Sequence, residues 1–137
     1  MKTNFRIISF TEINFNGIEI DLHNNFDFIS ADTEVSPNRI SLHFRRSTGD
    51  WAINTKYNNL YFSFDNYNFL KQIDANPEFR EDDSCLSGIT FFGNDFREDD
   101  YGLIEREFPN ENDDIIFSFE SERVIRVNCE TLTLIVD

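Results

Sequence analysis

The side chains of this chain best placed to do chemistry are its carboxylates. Fourteen of its 26 acids fall in the 41 residues from Asp74 to Asp114, among them Asp82, Asp83, Asp95, Glu98, Asp99 and Asp100. Two carboxylates flanking a substrate can hydrolyse a glycoside, one as acid and the other as base or nucleophile. With so many acids a pair is easily found, and no spacing singles one out. Oxygen donors also bind calcium, and Asp95–Glu105 is the run that comes nearest. It departs from an EF-hand loop because Asp100 stands where the glycine is needed and Arg97 takes a ligand position.

Softer donors are few. His23 and His43 lack a Cys or His at ligand spacing and fall in outward strand phase, so they read as surface histidines. Cys85 follows Glu81, Asp82 and Asp83, whose charge raises a thiol pKa rather than activating it. Cys129 shares apolar phase with Ile125 and Val127 and reads as a small core residue. Neither a Gly-x-Ser-x-Gly elbow nor a glycine-rich phosphate loop is present. The expectation is therefore a protein without catalysis, cofactor or metal.

Charge says more about partners. The 74–114 stretch holds only three bases, Arg80, Arg97 and Arg106, so it carries −11 of the chain's −14. Nucleic acid and anionic membrane surfaces recruit Lys and Arg, and both are disfavoured here. A basic protein is the favoured partner, since charge of one sign on one face raises association rates and rejects partners of like sign. Nucleic-acid enzymes carry basic clefts that such a surface can occupy in place of phosphate. The plainer alternative is a solvated region that only keeps the protein soluble.

The elements that must position these acids are strands. Apolar content is 39%, but sixteen Phe concentrate it in large rings able to build a core within 137 residues. Alternation with period two recurs throughout. Ile18, Ile20 and Leu22 face one way. Phe26 to Val35 changes phase, which predicts a bulge near Phe28–Ile29. Ile40, Leu42 and Phe44 follow a turn at Ser36-Pro37-Asn38, and Leu60, Phe62 and Phe64 follow a polar loop that starts at Trp51. Tyr67–Ile73 continues as strand, with a short helix over 67–75 as the alternative. Inside the acidic stretch only Cys85–Phe92 is strand-like, with a helical turn expected around Gly102–Glu107. Ile115–Phe119 and Ile125–Val136 form the clearest hairpin. About eight strands and no interposed helices predict one all-β domain, an antiparallel sandwich or open barrel with a long acidic loop region.

No apolar run reaches the roughly 20 residues of a membrane span, and the N-terminus lacks the apolar core of a signal peptide. Two cysteines can pair but do not make a disulfide framework, so the chain reads as cytoplasmic.

Three stretches give the sequence a likeness: Leu22-His23-Asn24-Asn25-Phe26; Leu60-Tyr61-Phe62-Ser63-Phe64 with the acidic loop after it; and the hairpin Ile115–Val136 with Val124-Ile125-Arg126-Val127-Asn128-Cys129. In these it resembles the small, acidic, all-β immunity proteins that accompany bacterial polymorphic and contact-dependent toxins. Related patterns show His-Asp near the first strand pair, where this chain has His23-Asn24. The resemblance implies a protein that binds a cognate toxin and blocks its active site. On that reading the partner-binding residues expected from the acidic stretch are Asp82, Asp83, Glu98, Asp99 and Asp100, with Phe96, Tyr101 and Trp51 as anchors. A rival reading is a binding or scaffold module in which Trp51, Tyr57 and Tyr61 stack on a ligand such as a carbohydrate.

Overall fold

A computed structural model describes residues 1–98 and 102–137. Its ten strands are β1 (Lys2–Thr3), β2 (Arg6–Ile7), β3 (Glu12–Phe15), β4 (Ile18–Asp21), β5 (Phe26–Glu34), β6 (Arg39–Arg46), β7 (Asn59–Ile73), β8 (Leu86–Gly93), β9 (Asp113–Phe119) and β10 (Val124–Val136). Three short 3₁₀ turns, at Asp50–Ala52, Pro77–Asp82 and Asn94–Phe96, are the helical segments among the described residues. The expected all-β, antiparallel class is what the chain adopts.

Seven strands form one sheet in the order β5-β6-β7-β10-β9-β8, and β1 joins β10 in parallel. Every other pairing is antiparallel. β10 is the hub. Its whole length pairs with β7, from Val124 opposite Ile73 to Val136 opposite Leu60. On its other edge β9 takes Val124–Val127 and β1 takes Thr131–Leu132. Strands β2, β3 and β4 make a second, smaller sheet. Asn16 and Gly17 turn β3 into β4 with φ of 52° and 82°, the left-handed pair that an Asn-Gly hairpin supplies.

Alternation explains the core. Ile40, Leu42 and Phe44 on β6, and Leu60, Phe62 and Phe64 on β7, are shut off from solvent. They meet Ile13, Phe15 and Ile20 of the small sheet, with Phe5 and Leu22 beside it, in one apolar cluster. Phe117 sits at its centre, edge-on to Phe62 with centroids 5.2 Å apart and to Phe64 at 5.9 Å. Such ring pairs contribute about 0.5–1.5 kcal/mol each beyond the area they bury. The register of β5 on β6 shifts between Phe28 and Ser30, where the phase change predicts the bulge. β7 runs unbroken to Ile73, so 67–73 is strand rather than helix.

The acidic stretch departs from expectation in where its helical turns fall, at Pro77–Asp82 and Asn94–Phe96. Residues 102–106 form no helical turn. Thr90 holds Ile104 by both backbone groups, its hydroxyl accepting from Ile104 N at 3.0 Å and lying 3.2 Å from Ile104 O. That hydroxyl ties the segment sideways to β8 instead. No helix among the described residues is long and apolar enough to cross a membrane.

Candidate functional site

The acidic stretch is built into the sheet, and arginines from inside and outside it do the fastening. At the β8–β9–β10 end the sheet buries side chains on both faces. Ile115, Phe117, Ile125 and Val127 point into the main core. Thr90, Asp114, Ile116, Val124 and Arg126 are buried as well, but in the opposite strand phase. The roof over that second face is the chain after β8. Gly102 lies so close to Phe92 that a Cβ there would fall 2.0 Å from the ring. Arg97 lays its guanidinium over Phe69, 3.7 Å from the ring centroid, a cation–π contact.

Under this roof Asp114 is the focus. Its carboxylate accepts two bonds from Arg97, Nε at 3.0 Å and Nη2 at 3.1 Å, one from Arg126 Nε at 2.8 Å and one from Asn128 Nδ2 at 2.8 Å. Arg126 also donates to Gly93 O at 3.0 Å. Burial pushes the Asp114 carboxyl up, but the hydrogen bonds from Arg97, Asn128 and Arg126 and the Arg97 charge outweigh it and hold it below the ordinary carboxylate range. Next to it Asp113 takes Arg106 as partner and accepts from Asn110 N at 2.8 Å. Two of the three bases in the stretch are therefore spent on its two buried acids.

The front of the stretch is fastened similarly. Asn76 caps the Pro77–Asp82 turn by accepting from Glu78 N, and its own N–H donates to Ser121 O. Asp83 accepts a two-pronged bond from Arg123, at 2.8 and 3.0 Å, and another from the Ser121 hydroxyl at 2.7 Å. The Arg123 bond, against a smaller opposing effect of burial, holds the Asp83 carboxyl below its usual value.

The expected partner-binding residues now separate. Asp82 and Glu98 are exposed, as a docking role requires. Asp83 is half-buried and engaged with Arg123, which places it in the scaffold beneath such a face. Phe96 closes the Asn94–Phe96 turn. Asp99, Asp100 and Tyr101 lie outside the described residues, and with them part of the Asp95–Glu105 run considered for calcium. Trp51 is 69% exposed in the Asp50–Ala52 turn, and its indole N–H donates to Asn24 O at 2.6 Å. It thus belongs to the 23–24 corner rather than to the roof over β8–β10. Tyr57 lies against Phe15 and Tyr61 stacks on His43 at 4.5 Å, so those two rings are committed within the fold.

That corner holds a constellation that sequence spacing conceals. His23 is half-buried, not a bare surface residue. Its Nδ1 lies 2.6 Å from Leu86 O and 3.4 Å from the sulfur of Cys85, a residue 62 positions away. Glu120 completes a group whose ligand atoms lie within 4.8 Å of one another. Burial, then the charges of Glu120, Asp82 and Asp27, raise the Cys85 thiol. Both cysteines are free, and burial pushes the Cys129 thiol up to about 12.

The fold and this surface define a mainly-β protein whose charge is gathered on one sheet-anchored stretch. Comparison with family models, curated proteins and solved structures finds no match to this chain.

Proposed function

We propose that the chain is an immunity-type inhibitor that binds a bacterial toxin domain with a basic surface, such as a nuclease, and has no catalysis of its own. The observation that carries this reading is the direction of the charges. Arg97 and Arg106 turn inward to Asp114 and Asp113. Glu81, Asp82, Glu98, Glu105 and Glu111 are left exposed, with no ion-pair partner among the described residues. A region serving only solubility has no need of a fastened backbone, whereas fixed acids cost less entropy to dock. The resemblance in sequence pattern to immunity proteins supplies the partner class.

The test is to screen the products of the genes that neighbour this chain's own for a protein it captures, followed by association kinetics across ionic strength. Binding that slows steeply with salt supports the reading. Absence of a complex, or an on-rate indifferent to salt, counts against it. A ligand-binding module is the second reading, favoured by the groove that exposed Trp51 lines. Binding to a glycan array that Trp51→Ala removes would support it instead.

A further inference from the structure

We propose that His23, Cys85 and Glu120 form a binding site for a zinc-type divalent cation, held by an imidazole nitrogen, a thiolate sulfur and a carboxylate oxygen. The inference stands apart from the toxin-binding reading, because it rests on donor geometry alone.

The three donors come from separate segments and converge within 4.8 Å. Tetrahedral zinc, with bonds of about 2.3 Å to sulfur and 2.0–2.1 Å to nitrogen, sets those two ligands about 3.6 Å apart. The Cys85 sulfur and His23 Nδ1 are already 3.4 Å apart. The backbone fixes this arrangement. Glu120 N donates to Cys85 O at 2.9 Å, Phe28 N to Ser84 O at 2.8 Å, and His23 N to the Asp21 carboxylate at 3.1 Å. His23 and Cys85 are half-buried and Glu120 is exposed, so a cation can enter from solvent and keep a water as fourth ligand.

The donor set selects the metal. Calcium and magnesium take oxygen ligands, whereas a thiolate with an imidazole favours zinc and its neighbours. Asp27, Asp82 and Glu120 surround the sulfur with negative charge that opposes thiolate formation in the free protein. A divalent cation reverses that field. The exchange is balanced: the thiol proton leaves to solvent as the metal–sulfur bond forms. Capture through Nδ1 moves the ring proton to Nε2 and gives up the Leu86 carbonyl bond, a loss small beside a metal–ligand set.

Cobalt(II) titrated into the reduced full chain is the probe. The expected result is thiolate-to-cobalt charge-transfer absorption with tetrahedral ligand-field bands, saturating at one ion per chain and displaced by zinc. Cys85→Ser should abolish the charge-transfer band. His23→Gln and the exposed Glu120→Gln should each weaken cobalt binding by about tenfold or more, since outer-shell changes alone cost 10–100-fold. Cys129→Ala should retain the band, because Cys129 is buried in the core. The proposal is overturned if the wild-type chain shows only the weak octahedral spectrum of surface carboxylates, if the band survives Cys85→Ser, or if Glu120→Gln binds cobalt as the wild type does.

Discussion

Arg126 Nε lies 2.8 Å from the Asp114 carboxylate, and both side chains are shut off from solvent. A charge pair this deep is compensated only while both members and their other partners stay in place. Arg97, Asn128 and Gly93 O supply those partners. Replacing Arg126 by Met, or Asp114 by Leu, should each cost about 3–5 kcal/mol, read from the urea midpoint. The double replacement should cost less than the two losses added together, because it leaves neither of the two charges stranded.

Acid should unfold the protein through the same carboxylate. The Asp114 and Asp83 carboxyls lie below their unfolded value of 3.8. The unfolded chain therefore binds protons first on acidification. Their contribution is complete above that value and fades as the pH falls through the folded pKa. Urea midpoints should hold steady near neutrality and drop once the pH falls below about 4. In Asp114→Asn the drop should be shallower, from a lower starting stability. An equal slope in the two proteins would show that Asp114 is not the group responsible.

Phe117 touches Phe62 and Phe64 and is fully buried. Its replacement by Ala should cost about 3–5 kcal/mol, measured by thermal or urea unfolding. Tyr61→Ala, on β7 beside Phe62 but in the outward phase, should cost clearly less.

Thr90→Val removes the acceptor for Ile104 N while keeping the side-chain shape. A loss of about 1–3 kcal/mol is expected for the stranded amide. Hydrogen exchange at Ile104 should accelerate more than exchange at Phe117. If the acidic face docks a partner, this variant should also bind more weakly with every acid intact, because the roof is loosened.

Glu81→Lys, Asp82→Lys and Glu98→Lys change exposed groups without ion-pair partners among the described residues. Together they should leave stability within about 0.5 kcal/mol per site. They should also slow association with a basic partner. Asp83→Lys should behave differently and destabilise the fold, because it strikes the Arg123 pair.

The strands were legible in the sequence because burial on one face writes itself as alternation. Leu60, Phe62 and Phe64 announce their strand without help from any other residue. Ile18 and Ile20 likewise mark β4, the strand after the Asn16-Gly17 turn, whereas β3 before it is only four residues long, too short for its alternation to stand out. Arg126 marks the limit of such reading. Its phase opposite Ile125 is visible, but alternation does not tell whether the second face meets water or a roof. That answer depends on Arg97 and Gly102, which lie in a stretch without periodicity. The meeting of His23 with Cys85 was invisible for a related reason. Ligand spacing is a local signal, and 62 residues separate the two.

The placement of β10 bears on how the protein is made. β10 leaves the ribosome after β1, β7 and β9, the three strands it pairs with. Until it arrives, β7 has an open edge on one side, and β9 has no link to β7. Closure then joins residues as distant as Lys2 and Thr131, the kind of non-local pairing that makes folding slow. Through that wait the nascent chain exposes phenylalanine-rich strands. Its excess negative charge then acts as a kinetic safeguard, holding unfinished copies apart until the last strand closes the sheet.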